Sequence, residues 1–275
     1  NGFVFANLSS GGPGLRDWLG ENSGFLDDVA ISAPDGRVEV SGGVHRYLFH
    51  GNWKMQVENL IDMYHPAYSH ESSSAKSGQQ FSRREGDRGG IQFFEKRGKV
   101  RSMDGLGTHA LPHGHTWQGG LPPLENTSES HREYVALLEK KHGPDRTREI
   151  LTKKRHNVIF YPNMAMQELN PHIRVIRPVA VNRTEIFIYP VKLCGAPDTM
   201  FRDQLVNLNR THSPTSLVQT DDVEAFARAQ EGMLASGNKW ILLARDGPKE
   251  TLPSGRIKTT GTSEEGMRNH YRAWL

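Results

Sequence analysis

Residues 52–70 read NWKMQVENLIDMYHPAYSH, and this stretch carries most of what the sequence indicates about fold and function. A helix is expected from its first residue onward. Asp62 and His65 are three positions apart, so on a helix they would share one face. Pro66 is expected to move the backbone of His65 out of regular helix. A turn after the helix would then bring His70 back beside His65.

Two imidazoles that converge on one point, with an acid behind one of them, suit a divalent transition metal. Imidazole is a good ligand for both iron and zinc, and a metal-bound histidine usually donates its other ring N–H to a carboxylate or a carbonyl. The alternative is a chance pair of surface histidines. An H-x4-H spacing alone is a weak pattern, and the H-E-x-x-H of zinc proteases is absent from this stretch.

The stretch as a whole resembles the catalytic-domain signature of the large subunit of Rieske non-haem iron ring-hydroxylating oxygenases. That signature combines N-W-K, E-N and D-x-Y-H with a second histidine five residues on. The matching residues here are Asn52, Trp53, Lys54, Glu58, Asn59, Asp62, Tyr64, His65 and His70. The resemblance implies that His65 and His70 bind a mononuclear Fe(II).

The same family takes a third iron ligand from a downstream segment of the form G-P-A-G followed by D-D. The segment beginning at Ser213 keeps Pro214, Asp221 and Asp222 of that pattern, and serines stand where the family has its two glycines. By position the resemblance implies that Asp222 is the ligand. The alternative is that the two acids and the preceding threonine only cap a helix, since acids are favoured in a first turn.

The resemblance also implies roles for residues around the metal. Asp62 would hydrogen-bond a metal-bound histidine and a Rieske-ligand histidine of a neighbouring subunit, and Asn59 and Tyr64 would support the site. His212 stands where relatives often place an aromatic residue that lines the substrate pocket, so a polar side chain there indicates a substrate with an acid or a hydroxyl group, or else surface exposure. His115 belongs to a His-rich loop at residues 109–117, which we interpret as pocket lining or surface rather than a second metal site.

Composition limits the remaining possibilities. The chain has 275 residues, 36% of them apolar and 24% charged, with a formal charge of +3. Its longest purely apolar run, residues 240–244, is far short of a membrane span. The basic clusters are small and lack an aromatic binding strip, so neither nucleic acid nor a membrane is expected as a partner. With a single cysteine and no opening signal peptide, we expect a cytoplasmic protein.

The cysteine count bears on domain organisation. A Rieske 2Fe–2S cluster needs two cysteines and two histidines, and Cys194 is the only cysteine. This chain therefore cannot supply the cluster, and the resemblance implies that it lies in a domain upstream of this chain. Residues 1–36 are interpreted as the end of the Rieske region and a linker, with an opening strand at Gly2–Phe5, and residues 37–275 as the mononuclear iron catalytic domain.

The function that the resemblance implies is hydroxylation of an aromatic ring, with an aromatic acid as the expected substrate and O2 as the oxidant. Electrons would come from a ferredoxin or a reductase, and the assembly would be a homotrimer or α3β3. Two other classes remain open. The chain could be a non-catalytic small-ligand-binding module, because the same fold also binds ligands without catalysis, or a zinc hydrolase that uses the same three ligands.

The pattern along the chain predicts an α+β protein with an antiparallel meander in mid-chain. The resemblance implies a helix-grip (START/Bet v1-like) fold, in which a curved antiparallel sheet wraps around a long helix. Helices are predicted at residues 15–19, 130–141, 145–156, 198–210, from 222 and at 263–275. Strands are predicted at residues 38–40 and 44–49 as a hairpin around Gly42-Gly43, and at 91–96, 99–103, 157–166, 172–179 and 184–191. A long surface loop is predicted at residues 71–90, and loop character at residues 109–117.

Overall fold

A large antiparallel sheet organises the chain. The computed structural model describes residues 2–70, 103–120, 128–152, 155–168, 170–235, 237 and 239–275. In these residues ten strands form one sheet, in the order β1-β8-β7-β6-β5-β4-β3-β10-β9, with β2 also paired to β8. The strands are β1 Val38–Val40, β2 His45–Phe49, β3 Gly107–Ala110, β4 Thr116–Gly119, β5 Arg155–Phe160, β6 Met164–Gln167, β7 His172–Ala180, β8 Arg183–Leu193, β9 Glu250–Thr251 and β10 Ile257–Thr259.

Helices cover both faces of this sheet. The helices are α1 Leu15–Leu19, α2 Ser23–Ile31, α3 Trp53–Ile61, α4 Pro66–Ser69, α5 Glu129–His142, α6 Pro144–Thr152, α7 Asp198–Thr211, α8 Leu217–Ala235 and α9 Glu265–Trp274. Short 3-10 turns lie at Gly20–Asn22 and Pro112–Gly114. No helix of the described residues is long and apolar enough to cross a membrane. The combination of these helices with one large antiparallel sheet confirms the predicted α+β class.

Each face of the sheet has its own hydrophobic cluster, because side chains alternate between the faces along a strand. On one face Ile176 of β7 and Ile186 of β8 are direct partners, and they pack with Leu60 of α3 and Phe226 of α8. On the other face, α1 and α2 pack against β5 through residues such as Phe25. Helices α3 and α8 thus lie on the same face of the sheet.

Helix α3 begins and ends at polar residues. The side chain of Asn52 accepts a hydrogen bond from the backbone N–H of Lys54 at 3.1 Å, which caps the first turn. The helix ends at Ile61, and Asp62 is already extended. The prediction for His65 was wrong: its backbone is helical (φ −59°, ψ −34°) and leads into α4, whose first residue is Pro66. Proline fits the first position of a helix because its missing N–H would have no partner there.

The predicted hairpin around Gly42-Gly43 was also wrong. Strands β1 and β2 both pair with β8, not with each other: Val38 lies opposite Leu193 and Phe49 opposite Thr184. The chain therefore continues along the edge of β8 in one direction. The two glycines have φ of +80° and +92°, and they accommodate an irregular step between two strand segments rather than a reversal.

Four other expectations need correction. Residues 2–5 form no strand, because nothing in the described residues pairs with them. The segment at 109–117 is partly strand, in β3 and β4, and the predicted strand at 157–166 is two strands, β5 and β6, separated by a turn. Helix α6 ends at Thr152, and residues from 155 enter β5. The strands predicted at 91–96 and 99–103, except for Met103, and the loop at 71–90 lie outside the described residues.

Helix α9 is anchored by a buried carboxylate. Glu265 is 2% exposed, and its oxygens contact Lys249 Nζ at 2.9 Å, Arg268 Nη2 at 3.0 Å and Arg272. Burial alone would raise the pKa of Glu265, but hydrogen bonds from the three cations outweigh burial and hold its pKa below the ordinary value. Because Tyr271 of the same helix donates a hydrogen bond to Glu58 of α3, this anchor also supports α3.

We expect Glu265→Gln to lower the free energy of unfolding by about 2 kcal/mol at neutral pH, less than for a fully buried pair because all three of its cations are partly exposed. A depressed folded-state pKa contributes stability above the unfolded-state pKa, and that stability is lost as the pH falls through the folded-state value. Urea unfolding of both proteins between about pH 3 and pH 7 would check this. The two stabilities should converge at low pH, and a constant difference would contradict the anchor.

Candidate metal centre

Two short segments bring together the residues predicted to hold a metal. His65 is the residue before α4, and His70 directly follows that helix. Asp222 lies within α8, which begins at Leu217 rather than at the two acids. Ser216 caps this helix by accepting from the N–H of Gln219 at 3.0 Å, so the alternative that Asp222 serves as a helix cap is wrong.

The three side chains converge on one point. One ligand atom from each of His65, His70 and Asp222 lies within 4.8 Å of the other two. Asp222 Oδ1 is 3.5 Å from His65 Nε2 and 3.2 Å from His70 Nε2. First-row metals bind such atoms at roughly 2.0–2.2 Å, so one ion could contact all three after small side-chain movements.

Hydrogen bonds hold the carboxylate and one imidazole in place. Asn59 Nδ2 lies 2.9 Å from Asp222 Oδ1, to which it donates, and 3.0 Å from His65 Nε2. On the far side of His70, Nδ1 lies 3.3 Å from Asp221 Oδ2. A carboxylate behind a metal-facing imidazole fixes its tautomer and orientation. Asp221 was not predicted to have this role, although it is adjacent to Asp222 in the sequence.

Burial and charge act in opposite directions on these groups. Burial lowers the pKa of His65, and the nearby Asp222 and Asp62 only partly offset this. Burial would also lower the pKa of His70, but contacts with Asp222 and Asp221 outweigh it and raise that pKa. Burial would raise the pKa of Asp222, yet its hydrogen bonds to His70 and Asn59 and the charge of His65 keep it low. Asp222 is therefore a carboxylate at neutral pH.

Asp62 lies behind His65 but is held mainly by other partners. Its Oδ2 is 3.8 Å from His65 Nδ1, beyond hydrogen-bond distance, and that nitrogen is buried without a hydrogen-bond partner. Asp62 Oδ1 accepts from the backbone N–H of Tyr64 at 2.9 Å and from Arg245 Nη2 at 3.0 Å. The Arg245 contact was not anticipated, because the two residues are far apart in sequence.

Tyr64 lies beside this contact rather than among the three converging side chains. Its ring lies under the guanidinium of Arg245 at 4.3 Å, and its hydroxyl is hydrogen-bonded to that of Tyr68 at 3.3 Å. The hydrogen bonds of Tyr64 thus join Asp62 and Tyr68, and none of them reaches the metal-facing atoms.

The His-rich loop does not reach the metal centre. His115 is buried, its Nε2 faces the carbonyl of Trp18 at 3.0 Å, and its Nδ1 accepts from the N–H of Tyr161 at 2.9 Å. Both ring nitrogens are occupied by main chain, which leaves none for a substrate. His109 stacks on Trp117 and His113 on Trp18. The loop therefore packs as structure, and the geometry does not support the predicted pocket role for His115.

His212 has a different environment. It follows α7 and is partly buried, and its ring centroid lies 4.9 Å from that of His172. Arg174 Nη2 donates to His212 Nδ1 at 3.3 Å. Arg174 was not predicted from the sequence, because β7 carries a second arginine, Arg177, and nothing in the sequence marks Arg174 as the buried one.

A family match covers most of the chain, including the three converging residues. Residues 37–275 match the family described as "Ring hydroxylating alpha subunit (catalytic domain)". The chain belongs to this family. The resemblance stated from the two motifs is thus confirmed, and the converging side chains lie in the part of the chain that the family covers.

Relatives and solved structures extend the comparison. The chain is 28% identical over 248 residues to the anthranilate 1,2-dioxygenase large subunit of Acinetobacter baylyi and covers 52% of it. It is 30% identical over 287 residues to the toluate 1,2-dioxygenase subunit alpha of Pseudomonas putida and covers 59% of it; these matches take in 89% and 97% of the present chain. The chain therefore spans between half and three-fifths of these relatives. A naphthalene 1,2-dioxygenase with indole bound shares the fold, with a TM-score of 0.72 at 20% identity, covering 97% of this chain and 60% of that one.

Proposed function

We propose that this chain is the iron-holding catalytic domain of an oxygenase that hydroxylates an aromatic acid. The observation that carries the proposal is the convergence of His65, His70 and Asp222 in a member of this family. The relatives named for anthranilate and toluate dioxygenation support an aromatic acid as the substrate class.

The residues present fit a mononuclear Fe(II). Two neutral imidazoles and one carboxylate on one side of an ion match the donor set of non-haem iron oxygenases and leave other positions open. The Asp221 carboxylate behind His70 suits a histidine whose other nitrogen faces a metal. When bound, iron would supply the activation of O2, and the protein would bind and orient the substrate beside it.

The described side chains would have separate tasks in this reaction. Asn59 holds the Asp222 carboxylate toward the two imidazoles, and Asp221 orients His70. Asp62, whose Oδ2 is 3.8 Å from His65 Nδ1 and whose side chain is 18% exposed, would accept a hydrogen bond from a cluster-ligand histidine of a neighbouring subunit and so bridge the path by which electrons arrive from that cluster. Each cycle takes two electrons and two protons with one O2. Both oxygen atoms enter the product in dihydroxylation, and one leaves as water in mono-oxygenation.

The wider assembly follows from the same proposal. Residues 37–275, the span of the family match, would form the iron domain. Residues 1–36 would lead from a Rieske domain, whose 2Fe–2S cluster needs two cysteines and so cannot be held by this single-cysteine chain. A ferredoxin or reductase would donate electrons to a homotrimer or α3β3 assembly.

We also propose a helix-grip arrangement, in which the antiparallel sheet wraps around helix α8. The Phe49–Phe226 ring contact at 4.9 Å, between β2 and α8, supports it.

Isotope labelling would test this function. In the whole protein, with an electron donor, benzoate and ¹⁸O2, we expect ¹⁸O in a hydroxylated product, because the oxygen comes from O2. Chelation of iron should abolish the product, and Fe(II) should restore it. Elemental analysis separates the alternatives. Bound zinc with water-derived oxygen in a product would indicate a hydrolase, and no stoichiometric metal with no product would indicate a binding module.

A further inference from the structure

A charged residue lies in an apolar row of the sheet, on the same face as the metal centre. Arg174 of β7 pairs directly with Ile188 of β8 and Ala165 of β6, and direct partners point to the same face. Ile188 and Ala165 both belong to the hydrophobic cluster that includes α3 and α8. The Arg174 side chain therefore enters the interior on the side of the helices that carry Asn59 and Asp222.

Arg174 has no acidic partner there. It is 2% exposed, and no carboxylate of the described residues lies within ion-pair distance of its guanidinium. Its hydrogen bond to His212 is made by Nη2, and its Nε is buried with no partner. A buried guanidinium without a counter-ion is costly, because the loss of water is not compensated by an opposite charge.

The groups around Arg174 are imidazoles rather than acids. His45 lies in the same row, opposite Ile188, and His172 packs against His212. Burial, and then the positive charge of Arg174, lower the pKa of His172 to about 3, so this ring is neutral at pH 7. Arginine has no acceptor, so His212 accepts at Nδ1 and carries its proton on Nε2. That N–H is a second donor beside the guanidinium.

This cluster adjoins the metal centre. His212 is in the connection between α7 and α8, the helix that carries Asp222. Tyr47, on the same sheet face, is close enough to both charges that Arg174 lowers and Asp222 raises its pKa, although burial dominates. His70 likewise contributes to the lowered pKa of His212, after burial and the charges of His172, Arg174 and His156.

We propose that Arg174, with His212 beside it, binds the carboxylate of the aromatic acid substrate. The guanidinium fork can donate two parallel hydrogen bonds to a carboxylate. The carboxylate would supply the missing counter-ion, and its anchoring would direct the ring toward the three metal-facing side chains. This assignment rests on the proposed function for its substrate class, and it makes Arg174 the residue that distinguishes aromatic acids from neutral aromatics.

Binding of benzoate and its neutral counterpart benzamide tests the proposal. In calorimetric titrations of the whole protein, Arg174→Met and Arg174→Gln should weaken benzoate binding at least about tenfold, since the charge partner is lost. Benzamide affinity should change less than about twofold. The matched control is Arg177→Met, on the same strand with its side chain 60% exposed and paired with Glu185 at 2.6 Å; it should change neither affinity.

Thermal unfolding separates binding from folding. If Arg174 serves a ligand, the ligand-free Arg174→Met protein should unfold at no lower temperature than Arg177→Met, because a buried unpaired charge is removed. Unchanged benzoate affinity in both Arg174 variants, or equal losses for benzoate and benzamide, would overturn the assignment. Arg174-dependent benzoate binding in a protein that holds no iron would uphold the assignment and refute the oxygenase function. If the protein is iron-loaded and active but binds benzoate independently of Arg174, the oxygenase function is upheld and the role of Arg174 is refuted.

Discussion

Replacing Asp222 with alanine should leave the protein folded but remove its mononuclear iron and, with it, oxygenation. The change deletes the only carboxylate among the three converging ligand atoms and leaves His65 and His70 as neutral donors. Removal of an outer partner alone typically costs about 10–100-fold in metal affinity, so removal of a ligand should cost more than about 100-fold. Metal titration of the whole protein with Fe(II), followed by elemental analysis, measures this.

Two matched variants define the scale of that effect. Asp221→Asn removes the charge behind His70 but keeps the three ligand atoms, and it should weaken iron binding by about 10–100-fold. Glu224→Ala, on the same helix, removes an exposed acid that pairs with Arg228, and iron binding should not change. Wild-type iron content in Asp222→Ala would mean that the metal is held elsewhere.

Most helices and strands whose sequence signals lie within the element itself were predicted from the sequence. Helix α3 has its own cap at Asn52, and β7 and β8 are rich in β-branched and aromatic residues and are bounded by turn residues, so short-range rules were sufficient. The three converging side chains were predicted because two motifs carry them. His65 and His70 flank α4 whereas Asp222 lies within α8, and only the fold brings them together.

The predictions that failed concern features that depend on contacts between residues far apart in the sequence. Gly42-Gly43 permits a hairpin, but the free edge of β8 offered pairing to both flanking segments. His109 has a loop-like local sequence, yet Trp117 across the β3–β4 pair stacks on its ring at 3.6 Å. The contact from Arg245 to Asp62 and the burial of Arg174 likewise depend on the tertiary structure. No local pattern distinguishes a buried arginine from an exposed one such as Arg177 in the same strand.

Replacing Asp62 with asparagine should preserve iron and stop most turnover. The asparagine side chain would keep the volume of the aspartate and the oxygen that accepts from Tyr64 and Arg245. It would lose the charge next to His65 Nδ1 and the ability to accept a proton, and proton transfer by a positioned group typically contributes about 10²–10⁴-fold. We therefore expect a rate loss of at least about 100-fold with unchanged iron content.

Rapid mixing identifies the step that is lost. In the whole Asp62→Asn protein the donor should still reduce the 2Fe–2S cluster at the normal rate, while reoxidation of that cluster in the presence of substrate and O2 should become slow. Asp246→Asn is the matched control, an acid 49% exposed that pairs with Lys249 and Arg268, and it should react like the unaltered protein. If cluster reoxidation in Asp62→Asn is as fast as in the unaltered protein, electrons reach the iron by a route that does not include this carboxylate, and Asp62 only shapes the segment before His65.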